Sequence, residues 1–309
     1  MIAVFLQTLP FFGLIALGYA AVRTGFFSSD AIGHLTKFVF YFALPAMLLL
    51  FAGSLDLADV LDWNFVAAYF VGSFAIYALA TLVSVIRGLK IAEAAIEAQC
   101  AIIGNVGFLG IPMLALLLGE GAIGPIMMIL AVDLVFFGSL VVILITGSRD
   151  GRLRLGTLKT VAVGVAKNPM VVSIALGLVM SRLEIRLPEP AISFLTLLGA
   201  AATPGALFAI GGSLAGKSAE RMSVAGWLTF CKLVLHPVAV GIAALFVFHV
   251  DPIAAGMMIA TAALPVAGNV YIIAQHYAVA PARVSAAILV STVLSILTIP
   301  FVIGWVTSL

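Results

Sequence analysis

The chain has 309 residues, 64% of them hydrophobic and 9% charged, with a formal net charge of +2 and a mean hydropathy of +1.27. A soluble domain carries about 25% charged residues, so this chain lacks the polar surface to face water on all sides. The small net charge leaves no basic stripe for nucleic acid, and the two cysteines, Cys100 and Cys231, lie in apolar tracts, which argues against a disulfide framework or a metal cluster.

Composition therefore predicts an all-α integral membrane protein with no metal or cofactor, in contact with membrane lipid. A spanning helix needs roughly 20 mostly apolar residues. In chain order the apolar runs lie near 2–23, 33–53, 64–87, 92–118, 122–147, 166–182, 191–215, 223–248, 252–277 and 284–308, ten in all. They are too long for the alternating strands of a barrel. Met1 to Phe12 lacks the basic region of a cleaved signal, so the first run is read as a retained helix.

Lys and Arg are unevenly divided among the connections. Arg23, Lys37, Arg87, Lys90, Arg149, Arg152, Arg154, Lys159, Lys167, Lys217, Arg221 and Arg283 fall on one side, twelve residues against Arg182 and Arg186 on the other, with Lys232 inside a run. The positive-inside rule then places both termini outside and the basic loop Ser148 to Lys159 in the cytoplasm. That loop divides the chain into residues 1–147, a connection over 148–165, and residues 166–309. Pro45 matches Pro204, Leu48 matches Leu207, and Gly-Ser-Leu at 53–55 matches 212–214, all at an offset of 159; Gly-Asn-Val recurs at 104–106 and 268–270. Five spans per half turn the second copy upside down, which predicts two inverted five-helix repeats, as in many secondary transporters.

Helix breakers and amides sit inside the fourth and ninth runs, Gly104, Asn105 and Pro112 in one and Pro265, Gly268 and Asn269 in the other, with Tyr271 just beyond Asn269. Irregular backbone survives at membrane depth only inside protein or beside a water-filled cavity. Two such breaks crossing near the midplane would aim helix N-termini, with their free N–H groups, at a small anion. These seven residues are the predicted substrate-binding set. Pro45 and Pro204 read as packing kinks. Among deep ionisable groups, Asp133 in the fifth run is predicted to pair with Lys232 in the eighth, with His236 one turn on; protonation there would couple a proton to transport. Glu93, Glu97, Gln99, Gln275 and His276 read as solvated helix ends, and His34 and Lys37 as snorkelling side chains. No HExxH motif and no second deep carboxylate accompany Asp133, so the sequence predicts no enzyme.

The stretches YFALPAMLL, NVGFLGIPML, AATPGALFAIGGSLA and ALPVAGNVYIIAQHYAV together resemble the auxin efflux carrier family, whose short bacterial members are described as malonate or malate permeases. The resemblance covers nearly the whole chain. It implies ten helices, broken crossover helices 4 and 9, elevator-type movement, a homodimer, and a substrate carboxylate held at Asn105, the asparagine ahead of GIPML. It places the protein in a bacterial inner membrane. The long cytoplasmic loop of plant auxin exporters has no counterpart here. The expected activity is secondary transport of a small organic anion such as malonate, malate or an auxin-like acid. A sodium-coupled symporter of the bile acid type, or a potential-driven uniporter or channel, stands as the alternative.

Overall fold

The computed structural model describes residues 2–54, 62–150, 159, 163, 166–216 and 222–307, and among them it is all-helical. Most of the basic loop lies outside the described residues. In chain order the helices are α1 (Ile2–Arg23), α2 (Ser29–Ser54), α3 (Trp63–Ile86), α4 (Ile91–Ile102), α5 (Val106–Leu118), α6 (Ile123–Ser148), α7 (Pro169–Arg182), α8 (Glu189–Ala215), α9 (Met222–Val247), α10 (Pro252–Ala262), α11 (Gly268–His276) and α12 (Pro281–Val306). Six of them, α2, α3, α6, α8, α9 and α12, are long and apolar enough to cross a membrane. At 1.5 Å rise per residue the 24-residue α3 is about 36 Å long. The apolar surface follows: Leu116, Leu197, Phe246 and Leu297 are each more than two-thirds exposed, as side chains facing lipid must be. The molecule is a multi-pass membrane protein.

Helix starts carry the residues that satisfy free N–H groups. Ser28 caps α2 at Ala31, Asp62 caps α3 at Asn64 and Phe65, Asn168 caps α7 at Met170 and Val171, and Asp251 caps α10 at Ile253 and Ala254. Several helices are locally widened into π turns, at Val39–Ala43, Val106–Gly110, Asp133–Phe137, Cys231–Leu235 and Ala243–Val247. Such turns cluster at functional sites, and here they hold Asp133 and Lys232 and directly follow Asn105. Pro45 follows the first π turn by two residues, and Pro204 stands in the first turn of the helical stretch Ala202–Ala215, just past the turn at Ala201 that interrupts α8.

The helices pack in two groups. In one, α1 lies on α8 and α7 on α2, with α2 also touching α8. Glycine permits these approaches. A Cβ on Gly18 would meet the Phe208 carbonyl and one on Gly211 the Ile15 carbonyl, while on Gly177 it would lie 2.5 Å from Ala52 Cβ and 2.8 Å from Leu49 O. The small residues of α8 thus lock it to α1. In the other group α3 packs on α4 and α9, α4 on α6, and α9 on α10 and α12.

Candidate functional site

Residues 103–105 separate α4 from α5, and 263–267 separate α10 from α11. The two breaks meet. Asn105 N–H donates to the Pro265 carbonyl at 2.8 Å, and Ala267 N–H donates to the Ile103 carbonyl at 3.0 Å, an antiparallel bridge of Gly104 with Val266. Backbone groups released by the breaks thereby satisfy each other, as groups away from water must. Ser291 of α12 supports the bridge by accepting from Val266 N–H at 3.1 Å. Side-chain bulk is excluded at the contact, since a Cβ on Gly104 would lie 3.3 Å from Leu264 Cβ and 3.4 Å from Lys232 Nζ.

Beside the bridge lies a cavity of about 340 Å³, within the usual size of a small-molecule site. Asn105, Val106 and Gly107 from the start of α5 line it, as do Gly268, Asn269 and Val270 from the start of α11, and Asn168, Met170 and Val171 from the start of α7. Three helix N-termini therefore converge on it. The first amides of α5 at Gly107 and Phe108, and of α11 at Gly268 and Asn269, have no acceptor among the described backbone hydrogen bonds. The Asn269 Oδ1 is buried without a partner. No lysine, arginine or histidine is among the described lining residues, and Asp133 is the carboxylate among them.

Of the predicted substrate set, Gly104, Asn105, Gly268 and Asn269 line the cavity. Pro265 lies in the break and helps form the bridge. Pro112 sits in the first turn of the regular helix Ile111–Leu118, where a missing N–H is harmless, and neither it nor Tyr271 lines the cavity. Phe40, Phe108, Ser139 and Asn168 also line it; of these the Asn168-Pro169 pair carries a helix-start signature that reveals its capping role, whereas the others carry none.

The deep ionisable groups are placed differently from a simple pair. Asp133 and Lys232 are both buried, and Lys232 acts electrostatically on Asp133, but they form no salt bridge among those described. Asp133 Oδ1 instead accepts from Tyr69 Oη at 2.7 Å, and its Oδ2 is buried without a partner. Lys232 Nζ contacts the Ala262 carbonyl and His236 Nδ1, the latter at 3.1 Å. His236 Nε2 in turn lies 2.9 Å from Ser73 Oγ.

Glu97 and Gln99 correct the sequence reading, which takes both for solvated helix ends. Glu97 is fully buried. Its carboxylate accepts from Ser84 at 2.7 Å and from Arg87 at 2.8 Å through one oxygen, and from Arg283 at 3.1 Å through the other. Two basic residues that count only as loop charge in the sequence are folded back over α4 and neutralise it. Gln99 donates to the Phe137 carbonyl at 2.6 Å and lines the cavity. Gln275 and His276 are exposed, as expected of a helix end.

A family model described as Membrane transport protein matches residues 3–303. A Rhizobium meliloti protein named "Putative malonate transporter" is 31% identical over 297 residues, covering 94% of this chain and 92% of the relative. An Escherichia coli K12 protein named "Uncharacterized transporter YfdV" is 27% identical over 310 residues, covering 94% of each. These matches span the breaks, the cavity and both packing groups, and the chain belongs to the membrane transport protein family of the auxin efflux carriers; it is a transporter and not an enzyme.

Proposed function

We propose that the chain is a secondary transporter of a small organic anion, a mono- or dicarboxylate of the malonate class, bound between Asn105 and Asn269. The observation that carries this reading is the convergence of three helix N-termini on one cavity that has no basic side chain among its described lining. Free amides and the positive helix ends favour an anion there, and the asparagine amides add donors without a buried cation. The malonate transporter name of the Rhizobium meliloti relative supports the substrate class.

Movement is of the elevator type, with the α3, α4, α9 and α12 group carrying the site past the α1, α2, α7 and α8 group. The cavity supports this because Phe40 of α2 and Met170 of α7 face it from one group and Asn105 and Asp133 from the other. The crossing breaks belong to ten spans in two inverted halves, residues 1–147 and 166–309. Packing supports the inversion: α1 lies on α8 as α7 lies on α2, the first and second runs of one half meeting the second and first of the other. The uneven Lys and Arg distribution supports an orientation with both termini outside, and the resemblance to short bacterial carriers supports a bacterial inner membrane. An ionised Asp133 would repel a bound carboxylate, so a proton at Asp133 accompanies the anion.

Proteoliposomes test the reading by uptake and counterflow of labelled malonate. The expected result is saturable uptake, trans-stimulated by internal malonate and weakened roughly tenfold to hundredfold in affinity by Asn105→Ala, the worth of about 1.5–3 kcal/mol for a hydrogen bond to a charged group. Uptake that neither saturates nor exchanges would replace the carrier with a channel. Absence of any carboxylate transport by well-folded protein would refute the anion reading.

A further inference from the structure

Between the cavity and the back of the paired breaks runs a line of buried polar side chains that no transport role yet explains. It begins at Asp133 on α6, passes Tyr69 and Ser73 on α3 and His236 and Lys232 on α9, and ends at the Ala262 carbonyl, the C-terminal end of α10. All five side chains are buried. The contacts are Tyr69 to Asp133 at 2.7 Å, Ser73 to His236 Nε2 at 2.9 Å, and His236 Nδ1 to Lys232 at 3.1 Å; Ser73 stands one turn on from Tyr69 along α3, on the same helix face.

With Lys232 as an ammonium, donor and acceptor chemistry gives this line one direction. His236 Nδ1 lies 3.1 Å from Lys232 Nζ and 3.3 Å from the Ala262 carbonyl. The ammonium only donates and itself holds that carbonyl, so Nδ1 accepts from the nearer lysine and the neutral ring carries its proton on Nε2. That proton goes to Ser73 Oγ, the Ser73 hydroxyl to Tyr69 Oη, and the Tyr69 hydroxyl to Asp133 Oδ1. Each group donates forward once. The outer end is Asp133 Oδ2, which has no protein partner and belongs to a residue lining the cavity. At the inner end Lys232 holds the Ala262 carbonyl, a cation at a helix C-terminus.

We infer that these five side chains form a proton relay, in which the proton that accompanies the anion is taken up at Asp133 and shared through Tyr69, Ser73 and His236 with Lys232. The inference rests on the anion-transport reading above. Each hop is balanced: when Asp133 takes the Tyr69 proton, Tyr69 takes that of Ser73, Ser73 that of His236 Nε2, and His236 Nδ1 that of Lys232. The carboxylate and the ammonium become a neutral acid and a neutral amine. A proton entering at Asp133 Oδ2 drives the same hops in reverse and restores the ammonium. The grip of Lys232 on α10 at the paired breaks thus follows the protonation of the cavity. The ionisable groups acting on the two ends are Tyr69 of α3 and Lys232 of α9 on Asp133, and Asp133 of α6 on Lys232. His236 faces Lys232 and the Ala262 carbonyl. Glu97 of α4 is taken up by Arg87 and Arg283.

Tyr69→Phe and Ser73→Ala cut the relay without changing any formal charge, and Ser73→Thr keeps the hydroxyl. Labelled malonate is followed in proteoliposomes in two modes, counterflow at equal pH and net accumulation under an imposed pH gradient, acid outside. For one coupled proton the wild type accumulates about tenfold per pH unit. Tyr69→Phe and Ser73→Ala should keep counterflow within a few-fold of wild type and lose the gradient-driven accumulation, and Ser73→Thr should restore it. Cut variants that accumulate malonate like the wild type would overturn the relay, as would cut variants in which both modes fall in parallel. Wild-type uptake indifferent to the gradient would overturn the relay and the proton at Asp133, and leave the anion reading standing. Wild-type protein that neither takes up nor exchanges malonate would overturn the anion reading, and the relay with it.

Discussion

Replacing Glu97 by glutamine removes the charge from a carboxylate that ties α4 to the end of α3 and the start of α12. In the native protein one oxygen accepts from Ser84 and Arg87 and the other from Arg283, and the side chain is 1% exposed. Breaking a buried ion pair by removing one partner costs about 3–5 kcal/mol. Here the two cations are 32% and 15% exposed, so they can be partly rehydrated, and the amide of glutamine still accepts one hydrogen bond. That brings the expected loss to about 2–3 kcal/mol. For a chain of this size each kcal/mol corresponds to about 2–4 °C, so the detergent-purified variant should melt roughly 5–10 °C lower. Glu93 is the internal control. It lies 3.6 Å from the same Arg283 and is 34% exposed, so Glu93→Gln should cost under about 1 kcal/mol. The assay is thermal unfolding in detergent, read by tryptophan fluorescence and by loss of the monodisperse peak on heating. If Glu97→Gln melted within about 1 °C of Glu93→Gln, the buried clamp would contribute nothing and the reasoning would fail.

Gly211→Ala places a methyl on the Ile15 carbonyl of α1; it should lower stability by about 1–3 kcal/mol or more or abolish folded yield on size-exclusion chromatography. Gly13→Ala meets nothing within 4 Å in the same helix α1 and should be neutral or stabilise by about 0.5–1 kcal/mol. Asn168→Ala removes the cap from α7, which should cost about 1 kcal/mol of stability while Asn168→Asp retains it; equal melting of the two variants would discount the cap. Cys100 and Cys231 are both fully buried, so a maleimide should label neither in native protein and both after denaturation, as intact-mass measurement would report.

Hydropathy and breaker residues made much of the architecture legible. An apolar run is a local property, and the lipid requirement that backbone groups be paired within the chain turns each such run into helix. The same logic located the two interruptions, because Gly104, Asn105, Pro265 and Gly268 weaken a helix wherever they stand. What lay beyond the sequence was which groups would meet. Nothing in the eighth run says that His236 faces Ser73, 163 residues away, or that Tyr69 stands where Asp133 needs a donor. Tyr69 and Ser73 carried no signal, since a tyrosine or serine in an apolar helix is ordinary. Glu97 looked solvated because charge at a helix end costs little in water; only Arg87 and Arg283, brought over it by the packing of α3 and α12, make its burial tolerable. Sequence alone thus determined the helical membrane class and the positions of the breaks, through local hydropathy and backbone chemistry. The tertiary structure alone decided the pairing of those breaks, the cavity beside them and the partners of every buried charge, because each depends on side chains brought together from distant parts of the chain.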